Sequence, residues 1–83
     1  MMKKADEMKN EVHIGSLIKS KMEEQGRRTS WLARQLACDR TNIYKLYSRP
    51  TVDAALLLKI SQLLDYDFFQ HYSQQVTENK AKK

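Results

Sequence analysis

Apolar residues recur at helical spacing through the middle of the chain and thin out at both ends. Ile14, Leu17, Ile18 and Met22 fall at i, i+3, i+4 and i+8. They predict an amphipathic helix over about 13–25, with Gly26 as its stop. Leu32, Ala33 and Leu36 repeat in the same way, and Ile43 and Leu46 resume after a break. That pattern predicts two short helices joined by a tight turn, the second from Arg40 to Tyr47. Thr29 or Ser30 would cap the first; Asp39 would cap the second, with Asn42 placed to reach back. The small Ala33 and Ala37 would let the pair cross closely. Pro50 biases Arg49 away from helical geometry, and Thr51 can cap a helix from Val52 to Leu64. There Asp53 suits the helix dipole, and Leu56, Leu57, Ile60, Leu63 and Leu64 give a wide face to bury. A short last turn, Phe68 to about Tyr72, would be capped by Asp67, and Phe68 or Phe69 would close the core.

The expected fold class is therefore all-α, a compact four- to five-helix bundle over residues 12–72. Residues 1–11 are charged without an apolar face and are read as a flexible arm. Residues 73–83 are polar and basic and are read as a disordered tail.

Charge sharpens this picture. From Arg27 to Arg49 six basic residues (Arg27, Arg28, Arg34, Arg40, Lys45 and Arg49) face the single acid Asp39. The resulting +5 equals the net charge of the whole chain, so the other acids and bases cancel. A balanced protein with its excess charge on one helical pair is arranged for an anion, above all a polyanion.

On these residues the chain resembles the helix-turn-helix of the lambda-repressor/Cro-like (XRE-type) DNA-binding domains, which are small five-helix bundles. The match lies in Leu32-Ala33, Leu36, Ile43 and Leu46 and extends over roughly residues 13–72. The ending Leu-Asp-Tyr-Asp-Phe-Phe resembles the close of that family's fourth helix and its short fifth. One departure is Ala37, where the family usually has Gly; a left-handed residue there would be mildly strained. The resemblance implies sequence-specific binding of double-stranded DNA by a transcription regulator, in which Arg40, Thr41 and Lys45 match base-contacting positions. Thr29 and Ser30 match positions near a phosphate. A homodimer reading two half-sites is a further expectation.

The side chains themselves allow that chemistry. With Ile43 and Leu46 inward, Arg40, Thr41, Tyr44 and Lys45 face outward, with Asn42 on the flank. Arg and Lys suit guanine, Asn suits adenine, and Thr suits several groups. Arg28 and Arg49 stand at either edge as phosphate contacts, and Arg34 could join them. Trp31 is expected to pack over a neighbouring helix, with backbone contact or a protein interface as alternatives.

Other functions find less support in the residues. A catalytic nucleophile would have to be Cys38, which is expected to fill an apolar slot after the turn. His13 and His71 stand far apart in sequence, without thiolate or acidic companions for zinc. Two glycines leave no phosphate-cradling loop, and no cofactor or small-molecule ligand is implied. No apolar run suggests a membrane span or a secretory signal, and the expected compartment is the cytoplasm. Two alternatives remain beside specific DNA binding: a protein-interaction module (antitoxin-like or adaptor), and an architectural DNA binder without sequence preference.

Overall fold

The computed structural model describes residues 12–82, and every regular element among them is a helix. The order is α1 (Ile14–Glu24), α2 (Thr29–Gln35), α3 (Arg40–Tyr47), α4 (Ala54–Leu64) and α5 (Gln70–Lys82). The arm expected over residues 1–11 lies outside the described residues. No described helix is long and apolar enough to cross a membrane.

One core joins the bundle. Ile14, Ile18 and Met22 of α1 meet Leu32 and Ala33 of α2, Ile43 and Leu46 of α3, and Leu57, Ile60 and Leu64 of α4. Phe68, 0% exposed, closes it, while its neighbour Phe69 is only half-buried. A ring removed from water this completely stabilises the fold by about 1.5–3 kcal/mol. Leu17, Leu36, Leu56 and Leu63 pack around the margin.

Three of the helices stop on the same backbone device. After α1, Arg27 N–H donates to the Met22 carbonyl at 2.8 Å and Gly26 N–H to Glu23 at 3.1 Å. After α2, Cys38 N–H reaches Ala33 at 2.9 Å and Ala37 N–H reaches Arg34 at 3.2 Å. After α4, Tyr66 N–H reaches Ser61 at 3.0 Å and Asp65 N–H reaches Gln62 at 3.3 Å. These are Schellman closures, and each needs a left-handed residue at its corner. Gly26, Ala37 and Asp65 supply it, with φ of 70°, 56° and 52°.

Several expected details are corrected. Helix α2 begins at Thr29, so Arg28 is its N-cap residue and neither Thr29 nor Ser30 caps it. Asp39 precedes α3 as expected but makes no side-chain cap, and Asn42 contributes its backbone N–H to the Asp39 carbonyl at 3.0 Å. Helix α4 starts at Ala54, two residues late, because Asp53 is the cap and accepts the Leu56 N–H at 3.1 Å. Ala37 is exposed at the corner of the turn and takes no part in the helix crossing; Ala33 is the small residue that is buried. Cys38 is half-buried against the core, on the wall of an open groove of about 270 Å³ between α3 and α4.

The largest correction is at the end of the chain. The short turn and disordered tail are instead a turn at Phe68–Phe69 followed by a 13-residue helix, α5. Asp67 does act at its approach, accepting the Phe69 N–H at 2.9 Å. Phe69, Tyr72 and Val76, at i, i+3 and i+7, are the apolar signal that a reading based on mean polarity passes over.

Candidate functional site

Helix α3 is the element the other parts hold in place. It packs on α2 along one flank and on α1 along another. Ile43 and Leu46 are 1% and 5% exposed, which fixes the rotation of the helix. Arg40, Thr41, Asn42, Tyr44 and Lys45 are consequently all exposed. Tyr44 follows Arg40 and Lys45 follows Thr41 by one turn on the outer side, while Asn42 stands on the flank, on the wall of the groove between α3 and α4.

The end of α3 is fixed by backbone. Its Lys45 and Leu46 carbonyls accept the Ser48 and Arg49 N–H groups, both at 3.1 Å. The first amides of α1 supply two donors just beyond it: Ile14 N–H to the Pro50 carbonyl and Gly15 N–H to Arg49, both at 2.9 Å. This approach is close enough that a Cβ on Gly15 would lie within 2.6 Å of the Leu46, Tyr47 and Arg49 carbonyl oxygens. Gly15 thus sets the distance between α1 and α3. The sequence reading missed it, although a glycine inside a helical pattern is a known sign of close backbone approach.

Tyr47 is the second fastening that sequence reading missed. Its hydroxyl lies 3.2 Å from the Thr29 hydroxyl, tying the end of α3 to the start of α2. Burial pushes the Tyr47 phenol above its ordinary pKa of 10.0, against the lowering effect of the Thr29 bond. Thr29 is accordingly half-buried and already partnered, unlike the open phosphate contact expected of it. Tyr44 stands edge-on to Tyr47, with ring centres 6.1 Å apart and planes at 77°.

The remaining expected residues surround this face. Arg28 and Ser30 are exposed at the start of α2, Arg34 is exposed near its end, and Arg49 is exposed just after α3. Among the described residues the one ion pair is Lys21 with Glu24, at 2.9 Å. None of Arg28, Arg34, Arg40, Lys45 or Arg49 is therefore neutralised by an acid there. Arg27 instead lies over the Trp31 ring, 4.4 Å from its centre, and Trp31 packs half-buried against the core.

The two histidines have structural partners in separate places. His13 Nδ1 accepts the Ser16 N–H at 3.1 Å and caps α1. His71 Nε2 lies 2.8 Å from the Tyr66 hydroxyl, beside the ring that Lys21 covers at 4.0 Å. Comparison with family models, curated proteins and solved structures finds no match to the chain.

Proposed function

We propose that the chain binds double-stranded DNA sequence-specifically, as a transcription regulator of lambda-repressor/Cro-like (XRE-type) character, through a helix-turn-helix formed by α2 and α3. The observation that carries this reading is the outer side of α3. Cations and hydrogen-bonding side chains crowd it, no acid within the described residues neutralises them, and two buried aliphatics hold its rotation. An α-helix with such a face fits the major groove, its leading end deepest.

In this reading Arg40, Thr41, Asn42, Tyr44 and Lys45 meet base edges. Arg28, Ser30, Arg34 and Arg49 meet phosphates, and Thr29 reaches one only through the free capacity of its shared hydroxyl. The test is selection of bound sites from a random duplex library, followed by affinity for the consensus at several salt concentrations. A defined consensus with a steep salt slope supports specific binding. A salt slope without a consensus makes the chain an architectural binder.

A second reading has its own observation. Leu58 on α4, which lines a shallow surface pocket with Phe69, and Val76 on α5 are 51% and 56% exposed. Such exposed aliphatics favour a protein-interaction module, or pairing of two copies on DNA. Absence of duplex binding at moderate salt selects the interaction module; a two-protomer footprint over a symmetric consensus selects the dimer.

A further inference from the structure

We infer that Tyr44 is a specificity-determining residue that reads the 5-methyl group of a thymine. The inference rests on the DNA-binding reading above and names one chemical feature that this face selects. The outer side of α3 offers Arg40, Thr41 and Lys45, which are charged or polar, and one large ring, Tyr44, 59% exposed. The thymine methyl is the distinctive apolar feature on the major-groove edge of a base pair. The large apolar surface of the protein face thus has a natural counterpart.

The ring is also held ready. Its edge-on contact with Tyr47 fixes it from one side, and Tyr47 is itself held by burial and by the Thr29 hydroxyl. An aromatic side chain has two torsions to order, so a ring already placed loses little freedom on contact. Position settles which base it reaches. Tyr44 lies four residues after Arg40, about 6 Å along the helix axis. Base pairs follow each other at about 3.4 Å, so the thymine lies one or two base pairs from the guanine that Arg40 contacts.

The experiment uses the full chain and the duplex selected from the random library. Each thymine of the consensus is replaced in turn by deoxyuridine, which removes the methyl alone. For the unsubstituted protein, one replacement should weaken binding about fourfold, the value of one buried methyl-sized group. That position should lie one or two base pairs from the guanine whose preference Arg40→Ala relaxes. Tyr44→Phe should keep the sensitivity, since the ring makes the contact, and Tyr44→Ala should bind thymine and deoxyuridine duplexes alike. Both variants alter an exposed side chain outside the core. Equal sensitivity in Tyr44→Ala, its loss in Tyr44→Phe, or no responsive thymine would overturn the inference while leaving duplex binding intact. If no duplex is bound at all, the DNA reading itself falls, and the inference with it.

Discussion

Helix α3 is held at its two ends by different physics. At its leading end the chain turns through Ala37, whose φ of 56° is a conformation that an L side chain adopts at a cost. Asp39 stands in the cap position there without making the capping bond. At its trailing end conformation is easy and space is scarce. The carbonyls of Leu46, Tyr47 and Arg49 close on Gly15, and α1 donates two backbone hydrogen bonds across the gap. The leading end is limited by torsion and the trailing end by volume. A substitution at one should therefore be graded and local, while a substitution at the other should move a whole helix.

The strongest way to break the comparison is Gly15→Ala. A methyl group there cannot be accommodated by a flexible neighbour, because the crowding atoms are backbone carbonyls. Loss of about 3 kcal/mol is expected, measured by denaturant unfolding, and more if α1 separates from α3. A loss below about 1 kcal/mol would show that the junction yields easily. The two ends also differ in proposed function. Arg40→Ala at the leading end should cost about 1–3 kcal/mol on the preferred duplex and relax one base pair. Arg49→Ala at the trailing end should weaken all duplexes alike and make the salt slope shallower by about one unit. Uniform weakening by both would reduce Arg40 to a phosphate clamp.

Tyr47→Phe tests the tie between the trailing end and α2. Loss of the Thr29 bond should cost about 1 kcal/mol by thermal or chemical unfolding. It should also change the alkaline limb of stability. The folded-state pKa of Tyr47 is raised, so folding favours the neutral phenol. That contribution is fully present below pH 10.0, the ordinary value, and is lost as pH rises through the higher folded value. The wild-type chain should thus lose more stability than Tyr47→Phe as pH rises above 10.0; parallel curves would show that burial of the phenol contributes nothing.

The smallest effects sharpen the torsional side. Gly26 closes α1 as Ala37 closes α2, and no atom lies within 4 Å of a Cβ built on it. Gly26→Ala should therefore cost about 1 kcal/mol for conformation alone. Ala37→Gly should gain about 0.5–1 kcal/mol, the relief of strain less the added freedom of the unfolded chain. The two midpoints in one denaturant series should move in opposite directions. If Ala37→Gly destabilises, the left-handed strain at this turn is smaller than the entropy it saves.

The bounds of α1 and α3 were legible within a residue because aliphatic side chains mark one side of a helix every 3.6 positions. Gly26 as the stop of α1 was legible too, since the corner it occupies favours a residue without Cβ. The exposed set on α3 followed once Ile43 and Leu46 were turned inward. Helix α5 was missed because only Phe69, Tyr72 and Val76 signal it among polar neighbours, and such a weak stripe resembles a solvated tail.

The sequence by itself determined the helical class, most of the core and the side of α3 that faces water. Those follow from periodicity and polarity, which are local properties of the chain. Only the tertiary structure decided that Gly15 must be glycine, that Thr29 is tied to Tyr47, and that Ala37 takes up the left-handed φ for which the resemblance leads one to expect glycine. The first two depend on atoms more than a dozen residues apart in sequence meeting within a few ångströms. The third depends on a turn short enough to force its corner residue out of the ordinary backbone basin, which the packing of α2 on α3 imposes.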